Sequence, residues 1–236
     1  MRIGYDHLSY QKNNLLDVQF TKGTGIIVND YAKPNHSEIS FVNDPTWGQH
    51  ARGKNYLTFN GTTQYGELAN ADSGDLGFTS GDYSLFGWIY PVDSGASMMV
   101  MARYELDVGG WELYLYDITT PNGTLSLRHN HSLLAPTRTG CFSRGWEENH
   151  WYHFAITRSG LYPKIYQNGV ELEVTYDAGG LQDPEATTQD LVIGCRYTKN
   201  SDYYEGNLAR LGISNVALSS AQVKAMFEKE RGLFGV

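Results

Sequence analysis

Within the stretch RYELDVGGWELYLYD, residues Arg103–Asp117, the carboxylates Glu105, Asp107 and Glu112 lie close together. Two carboxylates flanking a sugar ring can hydrolyse a glycoside, one as acid and the other as nucleophile or base. Retention of configuration needs them about 5 Å apart. Residues two apart on a strand lie about 7 Å from one another, so such pairs are normally closely spaced in sequence. Here Glu105 and Glu112 are seven positions apart, with Gly109-Gly110 between them. Gly-Gly reads as a turn. The spacing predicts an acidic hairpin with a Gly-Gly tip, Trp111 opening the return strand, its acids on the surface and no catalytic residue.

The histidines form two groups, His129 with His131 in LRHNH and His150 with His153 around Trp151. Zinc requires three or four ligands. The sequence has neither an HExxH motif nor a cysteine pair at zinc spacing, so solvent-facing or core histidines are expected. Cys141 and Cys195 leave two readings open, a disulfide or two buried thiols.

Aromatic residues in polar loops suit sugar binding, since a sugar ring stacks on an aromatic face and hydrogen-bonds at its edge. FSRGWEENH carries Trp146, and YTKNSDYYEG carries Tyr197, Tyr203 and Tyr204. Loops carry function on sandwich scaffolds, and these four residues are the expected carbohydrate site. Trp47 in NDPTWGQH is expected to plug a sandwich edge instead.

The elements that must position these groups are short strands. About a dozen apolar or alternating runs are bounded by turn residues, and the chain has 17 Tyr and 26 Gly. This is an all-β pattern. In HWYHFAITRS, Trp151, His153, Ala155 and Thr157 share one face and Tyr152, Phe154, Ile156 and Arg158 the other. Apolar residues on both faces predict a central strand covered on both sides. Asn168-Gly169 predicts a type I′ hairpin turn. Near the C-terminus Ser219 and Gln222 form a capping-box pattern, with Val223, Met226 and Phe227 on one face and Gly232 as the stop. Residues 1–13 read as a polar arm and residues 14–236 as one sandwich.

The formal net charge of -8 and the lack of any basic run argue against nucleic acid as a partner. No stretch is long enough to span a membrane. MRIGYDHLSYQKN has no apolar core of a signal peptide, so a chain made without such export or trimmed from a longer one is expected.

Four separated stretches together resemble a known family. They are YLTFNGTTQYGEL, DYSLFGWIYPVD, HWYHFAITRSG followed by IYQNGVEL, and LVIGC followed by YYEGNLARLGISNVALSSAQVKAMF. In order and content they resemble laminin-G-like and concanavalin-A-like domains from about Phe20 to about Phe227. The resemblance implies an antiparallel jelly-roll β-sandwich with one short C-terminal helix. Asn60-Gly61 would be a tight turn between paired strands, Trp88 and Trp151 inward anchors, and the last strand and helix would close the second sheet.

The same resemblance implies candidate chemistry. Glycosidases with this fold use an E-x-D-x-E strand, which the Glu105–Glu112 spacing does not match. Sandwich lectins bind Ca2+ through loop oxygens, and VNDYAKPNHSEIS resembles such a loop with Asp30 and Asn35 as metal ligands. Where relatives carry an acidic residue in the closing strand, this chain has Leu208-Ala209-Arg210-Leu211. The function implied is a non-catalytic binding or adhesion module recognising carbohydrate, extracellular or on a virion surface. The alternative is a virion structural protein contacting other virion subunits, with a β-glucan hydrolase ranked last and self-association left open.

Overall fold

The computed structural model describes residues 12–32, 38–92, 97–132, 137–177 and 179–236. Seventeen strands and a C-terminal helix are found among them. In chain order the strands are β1 (Asn14–Val18), β2 (Ile27–Val28), β3 (Ile39–Val42), β4 (Thr46–Gln49), β5 (Asn55–Asn60), β6 (Tyr65–Leu68), β7 (Tyr83–Pro91), β8 (Met98–Glu105) and β9 (Gly109–Tyr116). They continue with β10 (Thr124–Asn130), β11 (Arg138–Arg144), β12 (Tyr152–Arg158), β13 (Lys164–Gln167), β14 (Val170–Glu171), β15 (Thr175–Tyr176), β16 (Leu191–Ile193) and β17 (Glu205–Ser214). A short turn of helix, α1 (Asn70–Ser73), follows β6, and α2 (Ser220–Phe234) ends the chain.

The strands form two antiparallel sheets. One runs β14-β13-β12-β7-β17-β5-β4, with β1 also paired to β17; the other runs β15-β11-β10-β9-β8-β16-β6-β3-β2. Alternate residues of both sheets point inward. Trp111, Leu113 and Leu115 of β9 and Leu125 and Leu127 of β10 meet Leu85 and Ile89 of β7 and Phe154 and Ile156 of β12 in one buried core. This is the expected all-β sandwich.

Strand β12 is central and covered on both faces, as its sequence predicts. Tyr152, Phe154 and Ile156 enter the core between the sheets, while Ala155 packs with Val223 and Met226 of α2. The cap of α2 also forms as predicted, with Gln222 N–H donating to Ser219 Oγ and Ser219 N–H to Gln222 Oε1. The helix does not stop at Gly232. It runs on to Phe234 and ends at Gly235, whose left-handed φ of 73° closes the last turn. The extra turn carries Phe234 onto Trp88, ring centroids 3.9 Å apart.

That stacking corrects the placing of the two tryptophans. Trp88 and Trp151 are buried with Phe227 and Phe234 under α2, on the outer face of the eight-stranded sheet rather than between the sheets. Strand β17 likewise does not close a sheet. It sits in the middle of one, between β7 and the β5/β1 pair. The Asn60-Gly61 turn does not join paired strands either, because β5 belongs to one sheet and β6 to the other. Asn60 Oδ1 accepts from the amides of Thr62 and Thr63 and so holds the crossover. Asn168 and Gly169 form the predicted hairpin with both φ values positive, 51° and 76°.

Residues 1–11 of the expected arm lie outside the described residues. No described helix is long and apolar enough to cross a membrane. Cys141 and Cys195 are two buried free thiols, with burial pushing each up to about 12.

Candidate functional site

The acidic hairpin exists, but its details differ from the expectation. The tip is Leu106–Val108, and Gly109 and Gly110 already lie in β9. Gly110 has φ of 87°, and a Cβ there would stand 2.0 Å from the Arg103 carbonyl oxygen, so only glycine fits. Glu105 pairs with Gly109 and Glu112 with Ala102. Tyr104 and Ala102 both sit on the outer face of the sheet. Glu105 therefore projects to the opposite face from Glu112, where Thr187 Oγ1 donates to its carboxylate. The two glutamates do not face each other.

Glu112 corrects the surface expectation more sharply. Its side chain is 1% exposed and joined to Arg128 Nη1 at 2.6 Å. Arg128 Nη2 donates to the Tyr114 hydroxyl, also at 2.6 Å, and the guanidinium lies 4.8 Å over the Tyr114 ring. Burial raises the Glu112 pKa above the ordinary carboxylate value, against the opposing pull of Arg128. The sequence conceals this pair, because Glu112 and Arg128 are 16 residues apart and meet only through the β9–β10 register.

That register lays out the whole outer face of the nine-stranded sheet as rows. One row crosses Ala102, Glu112, Arg128 and Gly140; the next crosses Met99, Tyr114, Ser126 and Phe142; a third has Tyr116, Thr124 and Arg144. Tall side chains on β9 and β11 thus flank short hydroxyl residues on β10. The result is a groove of about 400 Å3 with Thr124 and Ser126 as its floor. Tyr114 and Tyr116 form one wall, Phe142 and Arg144 the other. Arg144 stands over the Phe142 ring, 5.4 Å from its centroid. Asp117 and Asn122, from the β9–β10 connection, line the rim. The size falls within the range of ligand sites that combine apolar walls with a few convergent polar groups.

Of the four residues expected to bind carbohydrate, none lines this groove. Trp146 is fully buried in the core and donates through Nε1 to Ser143 Oγ at 3.0 Å; its loop folds inward because the indole completes the packing around Tyr152. Tyr204 is also fully buried, packed edge-on against Phe59. Tyr203 is partly buried and bonded to the Lys199 carbonyl. Tyr197 comes nearest. Its half-buried ring lies against Tyr104, centroids 5.7 Å apart, on the same outer face as Glu112. The sequence signal for the groove was the alternation of Tyr114, Tyr116, Ser126, Arg128, Phe142 and Arg144 on outward positions. Alternation alone does not register neighbouring strands, so in the sequence these residues share no site. Trp47 plugs an edge as expected, edge-on to Phe20 and bonded to the Gly25 carbonyl.

The histidines do not assemble. His129 is fully buried, with Nδ1–H donating to the Gln182 carbonyl at 2.7 Å and Nε2 accepting from Tyr83 at 2.5 Å. His153 is buried beneath α2 beside Trp88, whereas His150 is exposed. Asp30 is buried, and its Oδ1 accepts from the amides of Asp17 and Ala32, each at 2.8 Å; the second of these is an Asx-turn. Asn35 lies outside the described residues. No three His, Cys, Asp or Glu side chains among the described residues converge on one point.

Comparisons with known proteins place the fold. No curated relative matches the sequence. The binding domain of Paraclostridial Mosquitocidal Protein 1 matches with a TM-score of 0.71 and 14% identity over 93% of this chain and 53% of that one. The receptor binding domain of botulinum neurotoxin D matches at 0.68 and 13% identity, over 94% and 54%. The serotype D ligand binding domain in complex with N-acetylneuraminic acid matches at 0.66 and 15%, over 94% and 52%. The chain thus spans about half the length of these solved structures. A family model of the concanavalin A-like lectin/glucanases superfamily, Laminin_G_3, matches residues 60–224. With that match covering most of the sandwich just described, the chain belongs to the concanavalin A-like lectin/glucanase superfamily.

Proposed function

We propose that the protein is a non-catalytic carbohydrate-binding module whose ligand seats in the groove over β10. The observation that supports this most is the pairing of aromatic walls with a hydroxyl floor. A pyranose has apolar C–H faces and a polar edge. Tyr114 and Phe142 would meet the faces, while Ser126, Thr124 and the Arg128 guanidinium would meet the edge. The sugar bound by the serotype D neurotoxin neighbour belongs to the same ligand class and lends support. An adhesive role outside the producing cell fits such a module; the virion alternative draws on no residue of the groove.

The non-catalytic reading rests on Glu112. It lies one row beyond the groove, sealed beneath the face and bonded to Arg128, and the carboxylate that does line the groove, Asp117, stands at its rim without a second acid beside it among the described lining residues. Screening against a glycan array, once in calcium and once in chelator, tests the proposal. Binding that weakens about tenfold with Phe142→Ala is expected. Binding to no glycan in either condition would overturn it, and the chelator arm reads the calcium requirement expected at Asp30.

A further inference from the structure

The Phe142–Arg144 wall of the groove has a second hollow on its far side. Strand β15 borders β11 there, with Cys141 opposite Tyr176 and Phe142 opposite Thr175. Cys141 is in the core and Tyr176 packs against it, so Phe142 and Thr175 point outward. The row Tyr114, Ser126, Phe142 therefore continues to Thr175. Two residues along from the Phe142–Thr175 pair, Arg144 and Glu173 line one depression together with Thr175 and Leu172, a cavity of about 260 Å3. Arg144 lines the groove over β10 as well. Strand β11 is thus a ridge with a hollow on either side, and Arg144 faces both.

The second hollow repeats the chemistry of the first. Leu172, packed against the core, supplies apolar surface. Glu173 and Thr175 are exposed and offer a carboxylate acceptor and a hydroxyl. Arg144 supplies donors and is steadied on the ridge: its guanidinium lies 5.4 Å from the Phe142 ring centroid, and Nη1 donates to the Asn122 carbonyl at 3.3 Å. A guanidinium carries five N–H groups in a fixed fork, so donors remain for a ligand on either side. Size decides what kind of site this is. Ligand pockets start at about 300 Å3, so a hollow of about 260 Å3 is small for an independent site and suits an extension of the groove of about 400 Å3. The two floors lie on β10 and β15 with β11 between them, so they are about 10 Å apart. One ring seated on the floor of the groove does not also fill the hollow beyond the ridge.

We propose that the second hollow is a further sugar subsite, and that the ligand is an oligosaccharide lying across the strands. One residue seats over Thr124 and Ser126, a later one beside Thr175 and Glu173, and the chain crosses the ridge at Phe142 and Arg144. This rests on the carbohydrate reading of the groove. Arg144 donates to sugar oxygens on both sides of the ridge, while Glu173 and Thr175 bond the hydroxyls of the residue beyond it. A single sugar gains only the contacts of the groove.

The test uses the oligosaccharide series of whichever glycan the array selects, from one residue upward, as soluble competitors against the immobilised glycan. Molar inhibitory potency is expected to rise about tenfold at the length that first spans the ridge. Glu173→Gln and Thr175→Ala, both at exposed positions, are each expected to lower the potency of the spanning oligosaccharides about fivefold, as for a lost hydrogen bond, and to leave that of the single sugar unchanged. Thermal melts confirm that both variants fold. Potency that is independent of length in the wild type would overturn the second subsite while leaving the carbohydrate site standing. So would spanning oligosaccharides that bind both variants as well as the wild type, or a loss that is equal at every length. Binding to no glycan at all would overturn both readings.

Discussion

Glu112 and Arg128 stand directly opposite one another in the β9–β10 register and join at 2.6 Å, with the carboxylate buried and the guanidinium exposed on its groove side. The pair is thus half scaffold and half surface. Removing the arginine leaves a buried carboxylate without its counter-charge, which typically costs about 3 kcal/mol. Arg128→Ala is expected to lower stability by that order in urea unfolding. The double variant Glu112→Gln with Arg128→Gln is expected to lose about 1–2 kcal/mol less than the sum of the single changes. Strict additivity would mean that the pair is not coupled.

The groove walls separate binding from folding. Tyr116 and Phe142 lie outside the hydrophobic core, so Tyr116→Ala and Phe142→Ala should each shift stability by about 1 kcal/mol or less. Each is expected to weaken glycan binding about tenfold, the effect of losing roughly 1.4 kcal/mol of stacking. Trp146→Ala is the contrasting control. Its indole is in the core, so it should cost about 3–5 kcal/mol of stability. Calorimetric titration beside thermal melts distinguishes the two behaviours, and unchanged affinity in both wall variants would locate the ligand elsewhere.

Acid should destabilise this fold from just below neutrality. Burial pushes His129 and His153 down to about 3 each, with Arg210 adding to the effect at His153. In the unfolded chain histidine titrates near 6.5. Between pH 6.5 and about 3 the unfolded state therefore binds protons that the folded state refuses. Stability falls as pH drops through that window and gains nothing from these groups above it. The slope is about 1.4 kcal/mol per pH unit for each histidine. Urea midpoints at several pH values measure it, and His153→Gln should remove about 1.4 kcal/mol per pH unit of the slope. An unchanged slope would place the acid sensitivity elsewhere.

The C-terminal helix is held by Phe234 stacked on Trp88 and by Glu230, which accepts from Trp88 Nε1 at 2.7 Å and pairs with Arg210. Arg210 in turn grips Asp17 of β1 through two bonds of 3.0 Å. Phe234→Ala is expected to cost about 3 kcal/mol, whereas Ser219→Ala at the cap should cost about 1 kcal/mol. Tryptophan fluorescence should shift in the first and stay unchanged in the second, since only the first uncovers Trp88.

A β-glucan hydrolysis assay closes the enzymatic question raised by the three acids. No release of reducing ends is expected from the wild type. Turnover abolished by Glu112→Gln would show that the sealed carboxylate reaches substrate after all.

What the sequence determined by itself was local. Alternation along HWYHFAITRS set β12 as a strand covered on both faces, Asn168-Gly169 set a hairpin, and Ser219 with Gln222 set the start of α2, because each depends on residues within a turn or two of one another. Four family-like stretches in order set the sandwich. What only the tertiary structure decided was which residues meet. Outward alternation gave Tyr114, Arg128 and Phe142 no common address until the β9–β10–β11 register placed them around one slot. The same lack of register made Trp146 look like a surface platform, when the core claims it, and made Asn60-Gly61 look like a hairpin, when it crosses between sheets. Strand pairing is a long-range choice made by burial, and a one-residue slip sends a side chain to the other face. Glu105 and Glu112 show the consequence: neighbours in one acidic hairpin, they end on opposite sides of the sheet.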